Sequence, residues 1–314
     1  MKRFLLLFMA AGMVVMLHAQ NADTLKPWKF GGIGSLMFNQ AGFSNWSPGG
    51  ENSFSGTAFV KLTAGYKKNN FSVDNELNMK YGLMKNATES LKKNEDLIEL
   101  ISQFNHKFSK NWSASGLINF ATQFANGYNY PNDSIVISKF MAPGYLTLAP
   151  GIMYKPAECF SILFAPISMK TIFVMDQDLA DAGAFGVNKA DTTDNGEIIK
   201  GTGKNTKIKM GTFVEINFKK QIKTDLDVES KMNIFYNFLN DENIPNGTPK
   251  LDFNWKTLLN YKINKWFSAN FFVHFAYMPG DLLLITDENG EPKTVPNDKL
   301  QVMETFGIGL SYNF

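Results

Sequence analysis

The chain has 314 residues and a mass of 35.2 kDa, with 44% hydrophobic, 14% aromatic and 19% charged residues and a formal charge of +2. A single Cys excludes a disulfide scaffold or a Cys-rich zinc or iron–sulfur centre, and three His leave little for a multi-histidine metal site. The near-neutral charge gives no reason for a nucleic-acid partner, and 28 Phe is many for a mean hydropathy of −0.17.

The chain opens with Met1-Lys2-Arg3, then the apolar run Phe4 to Leu17, then His18-Ala19-Gln20. A basic start, a 14-residue apolar run and a small residue before a polar stretch describe a secretory signal peptide, cut after Ala19. The run is short for a spanning helix, which needs roughly 20 residues; a retained anchor is the alternative. Removing 1–19 takes away Lys2 and Arg3, leaving 29 basic against 29 acidic residues. Residues 20–28 then form a short periplasmic segment, and 29–314 the folded domain.

No later stretch approaches 18 consecutive apolar residues, so helical membrane spans are not expected. Period-two alternation recurs instead. Phe54, Gly56, Ala58, Val60, Leu62, Ala64 and Tyr66 alternate with Ser55, Thr57, Phe59, Lys61, Thr63 and Lys67. The longest case is Ile222–Phe238, where Leu226, Val228, Met232, Ile234 and Tyr236 share a face opposite Asp227, Glu229, Lys231 and Asn233. Helical spacing would gather Asp225, Leu226, Glu229 and Ser230, which is no apolar stripe.

Twelve strands are predicted, at 29–39, 53–67, 70–84, 96–108, 111–125, 143–155, 159–173, 205–218, 221–238, 250–262, 266–278 and 300–314. Short connections fall at Lys68-Asn69, Ser109-Lys110, Pro156-Ala157-Glu158, Lys219-Lys220 and Ile263-Asn264-Lys265, and they alternate with long loops. Soluble sheets rarely use strands this long. An even count of long strands, with short turns on one rim and long loops on the other, describes an outer-membrane barrel. The expected fold is therefore an all-β, transmembrane, antiparallel up-and-down barrel, closed because hydrocarbon leaves a sheet edge unsatisfied. A soluble sandwich is the alternative. It would have to explain why apolar faces end in Tyr66, Trp112, Tyr154, Tyr261 and Trp266, which a barrel uses as interfacial girdles.

The last strand places Phe306, Ile308, Leu310, Tyr312 and Phe314 on one face with Gly309 opposite. This resembles the closing strand that barrel assembly machinery reads in its clients, so Gly309, Tyr312 and Phe314 are the candidate assembly signal. A second resemblance lies in Ala41 to Ser55. Asn45, Trp46, Gly49, Gly50, Asn52 and Ser53 match the Asn-Trp-x-x-Gly-Gly-x-Asn-Ser loop of an uncharacterised Bacteroidota outer-membrane family, a domain of unknown function. The resemblance implies compartment and architecture and carries no activity. The loop itself reads either as a tight extracellular turn or as a segment that folds into the mouth or meets a partner.

An enzyme on this fold needs a base beside a nucleophile. The mature chain has only His106 and His274. His106 shares a face with Phe104 and Phe108, and His274 shares the inward face with Ser268 and Asn270, too far along for a dyad. Cys159 reads as a packing residue, and no catalytic residue or cofactor is assigned. In 174–204, Asp191, Asn195 and Gly196 fit three positions of a calcium loop, but Thr193 and Thr202 stand where further acids belong; a solvated acidic loop is the default. Asp23-Thr24-Leu25, Asp133-Ser134-Ile135 and Asp191-Thr192-Thr193 resemble O-glycosylation tripeptides.

The inward faces carry both signs. Lys223, Asp225, Asp227, Glu229 and Lys231 form the densest ladder, and Lys209, Lys256 or Lys262 are expected to face it. Mixed signs favour pairing over one-signed selectivity. The expected role is an outer-membrane scaffold, interaction protein or narrow conduit in contact with lipid or lipopolysaccharide and a possible protein partner. A diffusion porin and a lipid-acting hydrolase are the alternatives.

Overall fold

The computed structural model describes residues 27–41, 53–86, 90–128, 130, 133–244, 247–286, 292–297 and 299–314. In chain order the strands are β1 (Trp28–Ala41), β2 (Ser53–Lys68), β3 (Phe71–Asn86), β4 (Lys92–Lys107), β5 (Trp112–Thr122), β6 (Gly127–Tyr128), β7 (Val136–Ser138), β8 (Gly144–Ala157) and β9 (Phe160–Phe173). They continue as β10 (Thr206–Lys223), β11 (Leu226–Asn237), β12 (Leu251–Lys262), β13 (Phe267–Tyr277), β14 (Leu282–Thr286), β15 (Pro292–Pro296) and β16 (Gln301–Asn313). A short α-helix, α1 (Gln177–Asp181), and a 3-10 turn, Ala184–Gly186, lie between β9 and β10.

Twelve of these strands form a closed antiparallel barrel in the order β1-β16-β13-β12-β11-β10-β9-β8-β5-β4-β3-β2. The other four make two small hairpins, β6–β7 and β14–β15, inside long loops. Closure rests on β1 and β16: Ile33 to Phe38 pair with Asn313 to Ile308. Phe314 extends the seam, its carbonyl accepting from Gly32 N (2.8 Å) and its N–H donating to Gly32 O (3.0 Å).

The outward faces are apolar and open. Phe30 is 77% exposed, Ile167 63% and Phe306 60%, which only lipid makes favourable for so many large side chains. At the short-turn rim Trp28 packs on Tyr66 (5.1 Å), Trp112 on Tyr154 (4.6 Å) and Trp266 on Tyr312 (5.6 Å). Toward the other rim, Phe38 stacks on Phe54 and Trp255 on Phe275. Two aromatic girdles flank an apolar band.

The twelve predicted strands correspond to the twelve barrel strands, with one displaced turn. The β10–β11 hairpin turns at Thr224-Asp225, not at Lys219-Lys220. A bulge between Gln221 and Lys223 lets odd residues pair with odd across the hairpin, as in Gln221↔Asp227 and Lys219↔Glu229. Alternation therefore runs through the turn without changing phase, and the sequence looks like one long strand. Cys159 likewise sits in the turn before β9 rather than opening it. The signal peptide lies outside the described residues.

Candidate functional site

Cross-strand register assigns the lumenal face: odd residues of β10 and β11 and even residues of β12 and β13 point inward. Three layers of side chains follow from this along the bore.

Nearest the short-turn rim is a charged layer. Lys61 of β2 pairs with Glu76 at 2.8 Å and reaches Glu229 of β11 at 3.6 Å; Glu229 also takes Lys219 at 3.1 Å. Lys262 holds Asp227 at 2.7 Å, and Lys231 holds Glu215 at 3.1 Å. Asn78 donates to Glu76 and Glu99, Asn119 to Glu99, and Asn217 to Glu215. Carboxylates withdrawn from water keep acceptor bonds satisfied in this way.

Beside it, against the wall β5–β8–β9–β10–β11, lies an apolar cluster: Leu117, Ala149, Met153, Leu163, Ala165, Phe213 and Phe235, with Ile101 packed on it. These are inward positions that an outer-membrane lumen ordinarily gives to polar groups. Their signal in the sequence is Phe235, Phe213 and Leu163 breaking the polar side of the alternation.

A second charged layer lies under the long loops. Lys209, 1% exposed, contacts Asp281 of the β13–β14 loop at 2.9 Å and Asp252 of β12 at 3.7 Å. Lys207 holds Asp241 of the β11–β12 loop, and Lys170 holds Asp252, each at 2.7 Å. The second carboxylate oxygens of Asp241 and Asp281 are buried without a partner.

Above it the β9–β10 loop folds over the mouth. Asp176 caps α1 by accepting from Leu179 N at 3.1 Å and is paired with Lys139. Leu179, Ala180, Ala184 and Val187 bury themselves against Ala142, Ile172 and Val174. The loop reaches the β11–β12 loop, where Asn243 donates to Gly186 O at 2.7 Å. Gly186 has φ +83, and a Cβ there would stand 2.4 Å from Gly280 O, so only glycine fits there. Asp181 is held below the usual carboxylate range by the Gly201 N–H, the Gln177 side chain and the Gly203 N–H. Burial alone would raise Asp176, but the Lys139 ammonium and the Leu179 N–H outweigh it and hold it low.

The expected charge ladder is redistributed. Asp227, Glu229 and Lys231 point into the bore as read. Lys223 and Asp225 lie at the exposed turn, Asp225 bonded to the Tyr261 hydroxyl, because the hairpin turns there. Lys209 faces Asp281 and not that ladder, because an antiparallel hairpin carries it to the opposite end of the bore. Lys256 stands opposite Lys231 and His274.

His106 is exposed on the outer surface opposite Phe71, whereas His274 points inward with Nε2 buried and unpartnered. The wall separates them. Asp191 and Asn195 sit in a loop closed by its own bonds, Thr202 Oγ1 accepting from Asp191 N at 2.8 Å. Among the described residues no group of three or more His, Cys, Asp or Glu converges as a metal site. Gly309 approaches β1 so closely that a Cβ would lie 2.2 Å from Leu36 O, and Tyr312 and Phe314 stack outward beside it. Of the motif loop only Ser53 is described, opening β2; Asn45, Trp46, Gly49, Gly50 and Asn52 lie outside the described residues.

Residues 38–128 match a family of proteins of unknown function, DUF3078. No curated protein matches the chain. Among solved structures, the chain is similar to an outer membrane channel from Pseudomonas putida F1, with 10% identity over 94% of this chain and 97% of that one and a TM-score of 0.40. The translocator domain of the autotransporter NalP from Neisseria meningitidis gives 8% identity over 96% and 93%, TM-score 0.37. The NanC porin gives 10% over 89% and 98%, TM-score 0.35. The architecture stands on the strand pairing itself.

Proposed function

We propose that the chain is an outer-membrane β-barrel, exported with loss of residues 1–19, whose bore is closed to free diffusion. It serves as an interaction scaffold or a narrow conduit, not as a general porin and not as an enzyme. The observation that carries this is the Lys61–Glu229 pair, which joins nearly opposite walls of the bore at 3.6 Å. Ion pairs of mixed sign, an apolar cluster and a folded loop then fill the space that a diffusion pore needs open. The separation of His106 and His274 by the wall supports the non-enzymatic reading. Its outer band meets lipid and lipopolysaccharide, Gly309, Tyr312 and Phe314 address the assembly machinery, and the long loops with Asn45–Ser53 meet a partner protein. Planar-bilayer recording of the purified barrel is the test. A silent bilayer is the expected result, and stable steps of general-porin size would move the assignment to a diffusion channel.

A further inference from the structure

The β8–β9 ladder is interrupted in mid-strand. Between β8 and β9 the pairing runs to Leu148↔Met169 and resumes at Ile152↔Phe164. Ala149-Pro150-Gly151 thus faces four residues, Ala165-Pro166-Ile167-Ser168, with no ladder pairing between the two segments. Between β9 and β10 the register slips at the same level, from Gly211↔Ser168 to Phe213↔Ala165. Pro150 and Pro166 lack an N–H, so the sequence removes two donors where the ladder stops. Nearby carbonyls are taken by side chains: Ser168 Oγ donates to Gly211 O at 2.7 Å, and Thr212 Oγ1 donates to Pro166 O at 3.0 Å. A spanning sheet ordinarily keeps its ladder complete because hydrocarbon offers no substitute partner. Here the break coincides with the two prolines, and two carbonyls on its β10 side are taken by hydroxyls.

Both sides of this seam are apolar. Ile152, Phe164 and Ile167 face lipid, Pro166 and Ile167 pointing out together at the bulge. Directly behind lie the inward Ala149, Leu163, Ala165 and Phe213, which belong to the lumenal apolar cluster. The lumenal faces of β3 and β4 carry Glu76, Lys80, Glu95 and Glu99 instead. The apolar interior and the broken ladder therefore coincide. Filling the bore needs bulky inward side chains, but it does not need two prolines on the lipid face of adjacent strands. Gly151 brings the backbones into contact: a Cβ there would lie 2.1 Å from Phe164 O. No side chain of residue 151 stands in the seam, and the two strands meet there backbone to backbone.

We propose that the β8–β9 seam is a lateral portal through which a small uncharged apolar molecule passes from the bilayer to the Leu117–Phe213–Phe235 cluster. The inference goes beyond the closed bore: conductance tests the bore, whereas the portal is tested by what reaches the lumen from lipid. The full mature chain is placed in lipid nanodiscs with an uncharged trifluoromethylphenyl-diazirine, photolysed, and its adducts are mapped by mass spectrometry. Adducts are expected on lumenal Leu117, Phe213 or Phe235 as well as on outward Ile167. Ile152→Cys with Phe164→Cys, in a Cys159→Ser background, staples the seam, since paired strand Cα atoms lie within disulfide range. Oxidation should abolish the lumenal adducts, reduction should restore them, and Ile167 labelling should persist as proof of insertion. Leu148→Cys with Met169→Cys repeats the test on the other side of the break if the first pair fails to insert. Lumenal residues that stay unlabelled in the unmodified chain, or that label equally when stapled, would overturn the portal.

Discussion

Lys61 Nζ and Glu229 Oε1 lie 3.6 Å apart although β2 and β11 are five strand steps apart in a ring of twelve. Such a contact is available only where the bore is bridged by side chains. Lys61 is also the hub, since it holds Glu76 as well. Replacing both with Ser, as K61S/E229S, removes the bridge and leaves Lys219 without its partner. The variant should still insert and should show small, noisy conductance absent from the unmodified chain. Planar-bilayer recording at matched protein insertion checks this.

Lys209 is the costliest buried charge to lose. Its removal takes the ammonium from Asp281 and leaves Asp252 with Lys170, the charge of Lys207 standing further from both. Lys209→Met is expected to destabilise the barrel by about 3–5 kcal/mol, the usual effect of breaking a buried pair from one side. Adding Asp281→Asn should recover part of that loss, because the orphaned charge is then gone. Urea unfolding followed by Trp fluorescence measures both.

The two low carboxylates in the mouth loop set an acid limit. Asp176 and Asp181 are held below their ordinary value, so their contribution is complete above about pH 4. It is lost as pH falls through the folded values. Hydrogen exchange of 174–205 should be slow at pH 7 and 5 and rise below about pH 4 after correction for intrinsic rates. Asp181→Asn should exchange faster at every pH and keep only the part of the acid step that Asp176 sets, since an amide cannot take both the Gly201 and Gly203 N–H bonds as a carboxylate does.

Deleting Tyr312–Phe314 should abolish assembly. It removes the Phe314 bonds to Gly32 and the aromatic face stacked on Trp266. Gly32→Val should be intermediate, because its Cβ would stand 2.4 Å from the Phe314 ring while the backbone bonds could re-form. The heat-dependent gel shift of folded barrels separates the three cases.

The barrel was legible because lipid on one side and a polar lumen on the other force period-two alternation, strand after strand. Strand number, most turns and the inward set containing Lys61, Glu76, Glu229 and Lys231 follow from that rule alone. Partners do not. Lys209 meets Asp281 through a loop whose path alternation does not encode, and the Lys61–Glu229 contact depends on the shape of the bore. The hairpin β14–β15 carried a local signal, Leu282 to Ile285 followed by Asn289-Gly290, but it fell within a stretch read as loop. The lumenal cluster was hidden for the opposite reason. Leu163 and Ala165 share their parity with the outward Ile167, and only the bulge at Pro166 turns them inward, whereas Phe213 keeps the odd, lumenal side of β10 throughout and stands there as an apolar residue among Lys209, Glu215 and Asn217.

The bulge at Gln221 has a consequence for folding. It sets odd residues of β10 against odd residues of β11, and from that alignment a slide of the hairpin by two residues keeps each side chain on the face it already has. Hydrophobic burial is then blind to which alignment is native. A slip in one direction would set Lys219 against Lys231, whereas the native alignment sets Lys219 against Glu229 and leaves Lys231 to Glu215. The lumenal charges therefore act as a proofreading key, selecting one alignment among several that the bilayer itself would accept.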